Sequence, residues 1–313
     1  MPAANTINYA TLFQTILDAQ TVQESVTSWM TENAGQVIYN GGKDVKIPKM
    51  ALTGLGDYSR AGGYPAGSVT LTYETRTMTQ DRGTQFLLDQ MDVNESNFVA
   101  NATAVMAEFQ RTQVIPEIDA YRLSALATYA LEASTVDDRC EFGYTPAAAT
   151  IIAKLAAALK IGDANSVIYM TPDTLEQFEI AVGNHIGAAT FRQGGFDQTV
   201  PAFNGRPIIK TDAERMVSAI EILDLDIPNS KTGGWAKADD ALDINFMVVP
   251  RVVPIAIDKL DEPKVFDPSV VQDYSGWKID YRRYHDLWVK DNKIADIFVN
   301  FKDAKPAGSD ASA

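Results

Sequence analysis

The longest regular pattern of apolar positions lies in residues 94–131. Within it, apolar side chains recur at steps of three and four residues, which predicts a helix with one buried face: Phe98, Ala102, Val105, Met106 and Phe109. Asn94 and Ser96 are the candidate capping residues. At about 1.5 Å per residue, such a helix spans roughly 50 Å, so we expect it to act as a strut.

Pro116 interrupts this helical pattern. Proline has no backbone N–H, and its ring crowds the carbonyl of the residue four positions earlier, here Thr112. The sequence therefore predicts either a kink near residues 113–115 or two helices placed end to end.

Residues 43–80 have the alternation of a long antiparallel hairpin. Val69, Leu71 and Tyr73 alternate with polar residues, and seven of the twenty glycines lie between Gly41 and Gly67, around the expected tip. Each arm is expected to reach ~40 to 50 Å at about 3.3 Å per residue, and an isolated two-stranded ribbon is marginally stable in water. Either the hairpin folds back over its own domain or a neighbouring subunit supports it.

The remaining elements are read from shorter patterns. We expect a short helix and an arm up to Gly35, a strand at 37–40, a helix opening at Thr145 and Pro146, a buried strand from Ser166, and a helix after Thr171 that Gly183 ends. The second helix has a predicted apolar face formed by Ile151, Ile152, Leu155 and Leu159.

Later in the chain the patterns alternate between loops and strands. Residues 186–239 read as loop-rich, with a turn at Asn204 and Gly205. Apolar strands follow from Ile244 and Val252, and the C-terminal region reads as two long strands about a turn at Asp291 and Asn292. Residues 304–313 are expected to be a flexible tail.

Composition narrows the class of protein. The 313 residues are 46% apolar and 22% charged, which is typical of a globular chain with two or three structural units. No run of eighteen apolar residues occurs and the first residues lack the layout of a secretion signal, so we expect the protein to stay in the cytoplasm. A net charge of −14 without a basic cluster argues against sequence-specific DNA binding and against membrane docking.

No residue pattern prescribes catalysis, a cofactor or a metal. Gly54 and Gly56 lie in the hairpin tip and are not followed by a third glycine, so they are not a dinucleotide-binding loop. The single cysteine and the two histidines, Cys140, His185 and His285, lie in no catalytic or zinc motif and are expected to be structural. The carboxylates Glu221, Asp224 and Asp226 lack a calcium-loop spacing and are expected to form a solvated acidic loop.

Four stretches carry a resemblance to a known family. They are VMAEFQRTQVIPEIDAYRLSALA from Val105, FNGRPIIKTDAERM from Phe203, INFMVVPRVVPIAIDKLDEPKVFDP from Ile244 and WKIDYRRYHDLWVKDNKIADIFVN from Trp277. With the order of predicted elements, they resemble the major capsid proteins of tailed bacteriophages, which have the Hong Kong 97 type of fold. The likeness covers most of residues 36–302 and is most specific in the C-terminal block.

The resemblance implies an α+β fold of defined organisation. It comprises an N-terminal arm (1–42), an extended loop with hairpin and return (43–93), a peripheral domain with a spine helix (94–144), an axial α/β domain (145–262), return strands of the peripheral domain (263–303) and the tail (304–313).

The resemblance also implies a function. Such proteins assemble as pentamers and hexamers into an icosahedral shell around double-stranded DNA, first as a precursor that later expands. The roughly 35 residues before the hairpin are too few for a built-in scaffolding segment, so a separate scaffolding protein is expected. Portal and decoration proteins are further expected partners, and assembly is expected in the host cytoplasm. Covalent cross-linking through Lys43 or Lys49 stays open.

Two alternatives to the capsid hypothesis remain open. One is a nanocompartment shell protein of the same fold, and the other is an acidic cytoplasmic enzyme or ligand-binding protein. For the capsid hypothesis, the predicted subunit-contact residues are three arginines in and after the hairpin: Arg60, Arg76 and Arg82.

Overall fold

The computed structural model describes residues 25–39, 43–60, 63–89, 102–133, 139–161, 165–183, 186–193, 196–226, 231–266 and 276–305. Over these residues the chain is a mixed α+β protein built mainly from strands. Asn94, Ser96, Phe98 and His185, named above, lie outside the described residues.

A seven-stranded mixed sheet forms the centre of the fold, with the order β5-β15-β12-β6-β9-β8-β7. Its strands are β5 (Cys140–Glu141), β6 (Ser166–Met170), β7 (Gly187–Gln193), β8 (Phe196–Phe203), β9 (Arg206–Lys210), β12 (Ile244–Pro250) and β15 (Phe298–Phe301). β6 pairs in parallel with β9, and β5 with β15, whereas the other neighbours are antiparallel.

Strand β12 divides the core into two layers. All seven of its residues are buried, as an uninterrupted apolar run requires when both faces of a strand are covered. Met247 and Val249 belong to one apolar cluster, and Phe246 and Val248 to another, because successive side chains point to opposite faces.

Four α-helices occur among the described residues. The helices are α1 (Ala102–Phe109), α2 (Ile115–Ala133), α3 (Ile151–Ala158) and α4 (Pro172–Val182). Leu123, Leu126 and Ala127 of α2 belong to the first cluster, whereas Leu155 of α3 and Phe178 of α4 belong to the second. Among the described helices, none combines the length and apolar character needed to span a membrane.

The predicted strut is helical throughout its described part. A π-helical segment, Gln110–Val114, joins α1 to α2 directly before Pro116. Pro116 has no N–H to donate to the carbonyl of Thr112. The wider π turn accommodates this missing hydrogen bond while the helix continues. At the point where the sequence predicts a kink or two separate helices, the structure has this π segment, and the helix continues through it.

A second sheet contains the longest of the described strands. β13 (Pro254–Phe266) pairs with β14 (Gly276–Val289), which pairs in turn with β4 (Gln80–Asp89), all antiparallel. The strand predicted from Val252 is present, but it begins at Pro254 and extends further than expected, to Phe266.

The predicted hairpin is present. β2 (Asp44–Leu52) pairs with β3 (Val69–Thr77) from Asp44–Thr77 to Leu52–Val69, and the short β1 (Ile38–Tyr39) pairs with β2. Nine paired residues reach about 30 Å at about 3.3 Å each, less than the expected 40 to 50 Å. The ladder is shorter because pairing stops at the glycine- and proline-rich tip.

Two predictions for the middle of the chain need correction, and a third is confirmed. Helix α3 begins at Ile151, not at Thr145, because the carbonyl of Ala147 accepts hydrogen bonds from the amides of Thr150 and Ile151 in a preceding turn. Ile152 is partly exposed and does not belong to the buried face, unlike Ile151, Leu155 and Leu159. Helix α4 is confirmed and ends at Gly183, whose φ is +60°.

Residues 186–239 are not loop-rich. They contain β7, β8 and β9 and a separate hairpin of β10 (Ile220–Asp226) and β11 (Lys231–Lys237). These strands mix polar, small and apolar residues, so they lack the apolar runs that make β6 and β12 recognisable. The turn at Asn204 and Gly205 is confirmed, with φ of +50° and +77°.

The C-terminal strands do not pair with each other. A 3₁₀ helix, Asp291–Asp296, follows β14, and β15 joins the seven-stranded sheet. β14 already has β13 and β4 as neighbours on its two sides, which leaves no edge for β15.

The segment before the hairpin is part of the core. Trp29 is buried, and its indole N–H donates to the Tyr169 hydroxyl at 2.7 Å. The buried carboxylate of Asp119 on α2 accepts from the Ser25 hydroxyl at 2.7 Å and from the amide of Thr27 at 3.2 Å. These contacts fix residues 25–36 against both α2 and the seven-stranded sheet.

Candidate assembly surface

The β2–β3 hairpin has a buried root and an exposed outer part. At the root, Val45 and Ile47 pack in one apolar cluster with Met78, Ile255 and Trp288. β2 alternates between exposed and buried residues up to Ile47, and from Met50 onward every residue is exposed. Among the described residues, the subunit itself therefore supports the hairpin only at its root.

The outer part carries a concentration of apolar side chains. Eight of the fifteen large apolar side chains that are exposed among the described residues lie between residues 50 and 73, and each is at least half exposed: Met50, Leu52, Leu55, Tyr58, Tyr64, Val69, Leu71 and Tyr73. Exposed apolar patches of this kind mark interaction sites. As far as the described residues go, this exposure contradicts the alternative of a hairpin folded back over its own domain.

On β3, the polar residues that alternate with this apolar row are exposed as well. Thr70 and Thr72 are exposed like Val69, Leu71 and Tyr73, and partial burial begins only at Glu74. The predicted alternation is present, but neither face of the outer ribbon is covered by described parts of the chain. We call residues 50–73 the outer ribbon.

An ion-pair cluster fixes the root of the hairpin. Arg76 lies 3.0 Å from Asp291 and 3.9 Å from Glu74, and Lys49 lies 3.5 Å and 3.4 Å from the same two carboxylates. Two cations alternating with two anions neutralise each other, so the hairpin is tied to the 3₁₀ helix at Asp291. Lys49 is engaged in this cluster, whereas Lys43 is exposed.

The three predicted contact arginines occupy different surroundings. Arg60 lies in the hairpin tip, is exposed, and forms no ion pair with any described residue. Arg76 belongs to the root cluster. Arg82 lies on β4, and its guanidinium contacts Glu117, Asp224 and the carbonyl oxygens of Leu223 and Gly234. The structure thus brings none of the three together in one site.

A buried polar cluster connects α2 to the second sheet. Arg122 of α2 donates to Asp258 of β13, and Arg283 of β14 donates to both Asp258 and Asp261. Burial alone would raise the pKa of Asp258, but the guanidinium groups of Arg283 and Arg122 hold it well below its usual range. Sequence reasoning missed this cluster, because its members are far apart in the chain.

The candidate residues for chemistry that the structure describes lie in different parts of the fold. Cys140 lies on β5 and His285 on β14, in different sheets. Burial, reinforced by Arg283 and Arg122, lowers the pKa of His285 to about 3, so its imidazole is neutral at pH 7. Glu221, Asp224 and Asp226 lie on strand β10, not on a loop, and no group of metal-ligating side chains occurs among the described residues.

Comparison with known proteins gives similarity in structure only. No protein-family model matches the sequence, and no curated protein matches it. The asymmetric unit of the bacteriophage PhiM1 mature capsid is similar with a TM-score of 0.54 and 11% identity, covering 84% of this chain and 83% of that one.

Two further solved structures are similar to the same degree. One, from Mycobacterium phage Cain, has a TM-score of 0.51 and 13% identity, covering 84% of each chain. The other, from Gordonia phage Cozz, has a TM-score of 0.50 and 13% identity, covering 81% of this chain and 80% of that one.

The chain therefore has the mixed α+β fold of a phage capsid subunit. At these identities the likeness establishes the fold. The resemblance to phage capsid proteins that the sequence predicts is confirmed at that level.

Proposed function

We propose that this chain is the major capsid protein of a tailed bacteriophage and that its activity is self-assembly into a closed shell. The observation that carries the proposal is the outer ribbon, an apolar two-stranded segment that the described chain does not cover. A two-stranded ribbon needs support, and burying its side chains stabilises by about 25 cal/mol per Å² of apolar area. Because the fold is similar to that of a phage capsid subunit, we take the partner of the ribbon to be another copy of the chain.

Charge supports a second copy as the partner. Between Lys43 and Thr77 the hairpin has five basic and three acidic side chains, whereas the whole chain has a net charge of −14. The hairpin is thus opposite in sign to the rest of the subunit, so a neighbouring copy offers it a complementary surface. Arg60 at the tip is the candidate for a direct ion pair across that contact.

The finer features follow the family that the chain resembles. The shell is icosahedral, built from pentamers and hexamers, and it assembles in the host cytoplasm on a separate scaffolding protein before it expands around double-stranded DNA. Residues 43–93 serve as the extended loop, 94–144 and 263–303 as the peripheral domain and 145–262 as the axial domain. The role is structural and not catalytic.

The acidic balance of the chain suits such a container. A wall with net negative charge gains little from holding phosphates, because the affinity of proteins for DNA depends on lysine and arginine contacts. Packed DNA therefore stays free to move and to leave the shell. Portal and decoration proteins complete the proposed set of partners.

Assembly tests the proposal directly. The purified chain, with the scaffolding protein of its own gene cluster where needed, is examined by negative-stain electron microscopy and mass photometry. We expect shells or capsomers from the natural chain and monomers from the double variant Leu52→Asp/Leu71→Asp, with an unchanged unfolding midpoint. The control Ile180→Asp places a charge on an exposed apolar residue of α4 and should still assemble. A chain that stays monomeric under all conditions contradicts the proposal.

A further inference from the structure

The β10–β11 hairpin stands apart from both sheets. Its strands pair only with each other among the described strands, from Ile220–Lys237 to Asp226–Lys231. None of its side chains with a described environment is buried, in contrast to all seven residues of β12. Since an isolated two-stranded ribbon is marginally stable, its position depends on a few specific contacts.

The base of this hairpin is fixed. The amide of Ser218 donates to the carbonyl of Leu242 at 2.9 Å, and the amide of Leu242 donates to the Ser218 hydroxyl at 2.8 Å. The Ser124 hydroxyl of α2 donates to the Ser218 carbonyl at 3.1 Å. The last backbone bond before the ladder is from the amide of Ala238 to the carbonyl of Ala219 at 3.3 Å.

Beyond this base, clefts lie between the hairpin and neighbouring parts of the body. Trp235, Ala236 and Lys237 line a cleft of about 1050 Å³, and Ile220 and Ile222 line a second one of about 710 Å³. A third cleft of about 890 Å³ lies against the outer half of the hairpin, lined there by residues Asp224, Leu225, Gly233 and Gly234. Protein interiors are close-packed, so a hairpin bordered by three clefts is not part of the core.

Arg82 of β4 contacts both the hairpin and the body. Its guanidinium donates to the carbonyl oxygens of Leu223 at 3.0 Å and Gly234 at 3.2 Å, one on each strand of the hairpin, and lies 3.4 Å from Asp224. The same group lies 2.9 Å from Glu117 of α2. Gly234 has a left-handed backbone, with φ of +86°, at the residue whose carbonyl accepts from Arg82.

We propose that the β10–β11 hairpin is a hinged arm that pivots at Ala219 and Ala238 and is latched closed by Arg82. Opening breaks the bonds from Arg82 to the arm, while the Arg82–Glu117 pair stays with the body because both residues lie outside the arm. The guanidinium is therefore held in place for reclosure. Segments with few buried apolar contacts open locally while the rest of a protein stays folded. The inference concerns the isolated subunit and does not depend on shell assembly.

The test is hydrogen–deuterium exchange with mass spectrometry on the full-length chain. In the natural sequence, amides of 220–226 and 231–237 should exchange before those of β6 and β12. Arg82→Ala should raise the exchange rates of the arm about tenfold, a change of about 1.4 kcal/mol in opening free energy, and leave β12 unchanged. Arg82→Lys should fall between the two, because an ammonium cannot reproduce the planar fork of the guanidinium.

A matched control is Arg282→Ala on β14, which removes an exposed guanidinium paired with Asp81 at 2.6 Å and should leave the arm unaffected. If Arg82→Ala does not fold, Asp224→Asn and Glu117→Gln weaken the latch more mildly and should raise the exchange of the arm selectively. Arm amides that exchange as slowly as β12 in the natural chain would overturn the proposal. A loss of protection spread evenly over the molecule in the variants would overturn it as well.

Discussion

Arg122 and Asp258 join the strut helix to the long sheet through a two-point contact. Nη2 of Arg122 lies 3.0 Å from Oδ1 and 3.2 Å from Oδ2 of Asp258, and the arginine side chain is only 1% exposed. A guanidinium at such depth requires a counter-charge, because an uncompensated buried charge costs several kcal/mol. This pair is therefore a point at which helix and sheet depend on each other.

Asp258→Asn should destabilise the subunit by about 3 kcal/mol, the lower end of the range for breaking a buried pair, since Asp258 itself is about a quarter exposed. The loss leaves two guanidinium groups, those of Arg122 and Arg283, short of negative charge. Urea unfolding followed by circular dichroism measures the change. Asp81→Asn, which breaks an exposed pair with Arg282, serves as the control and should cost less than about 1 kcal/mol. Equal effects of the two substitutions would show that burial of the Arg122 pair is unimportant.

Stability should decrease as the pH falls from 6.5 toward 3. His285 has a pKa of about 3 in the folded chain against 6.5 when unfolded, so within this window the unfolded state binds the extra proton. The contribution reaches at most about 1.4 kcal/mol per pH unit. Asp258 adds a further loss below its unfolded pKa of 3.8, because its folded pKa is lowered. Unfolding midpoints at pH 7, 6 and 5 should fall for the natural chain and fall less for His285→Asn, and parallel profiles would rule out this histidine as the cause.

Gly83→Ala should destabilise the long sheet by about 1 to 3 kcal/mol. A Cβ at Gly83 would lie 2.9 Å from the carbonyl oxygen of Tyr281, a backbone atom that the β4–β14 ladder holds in place. Gly35→Ala is the matched control, since an added Cβ there meets nothing within 4 Å. Thermal unfolding distinguishes the two, and a Gly83→Ala chain as stable as the control would mean that the ladder can shift to accept a methyl group.

Charge reversal at Arg60, Arg76 and Arg82 should have different effects on assembly and on stability. Arg60→Glu is expected to impair assembly and leave the unfolding midpoint unchanged, because the tip has no described ion pair to lose. Arg82→Glu should instead leave assembly intact and loosen the subunit locally at the β10–β11 arm, because its partners lie within the same subunit. Arg76→Glu should affect both, through the root cluster. Light scattering for assembly and calorimetry for stability give the two readings, and a destabilised Arg60→Glu subunit would contradict the expected division.

The sequence predicts elements well where one physical signal dominates. The unbroken apolar run of β12, the alternation at Val69, Leu71 and Tyr73 and the turn residues Asn204 and Gly205 each specify one structure. Strand β10 has carboxylates between its apolar residues, and none of its described side chains is buried in a core. Its sequence pattern therefore cannot be distinguished from that of a solvated loop.

The assembly surface could be predicted in outline and not in detail. The glycine-rich tip indicates a ribbon with little of its own to bury, and the exposure of residues 50–73 agrees. The contacts of Arg82 could not be predicted from the sequence. Its partners Glu117, Asp224 and Gly234 lie 35, 142 and 152 residues away along the chain. Contacts at such separations follow from the topology of the sheets, which no local pattern encodes.

The outer ribbon also has a consequence for timing inside the cell. Each newly synthesised chain exposes the eight apolar side chains of the outer ribbon until a neighbouring subunit covers them. Exposed strands with uncovered apolar faces are sites at which aggregation begins. Synthesis of the chain must therefore be followed quickly by binding of another subunit to the outer ribbon. Overproduction without a matching partner should send the surplus into inclusion bodies.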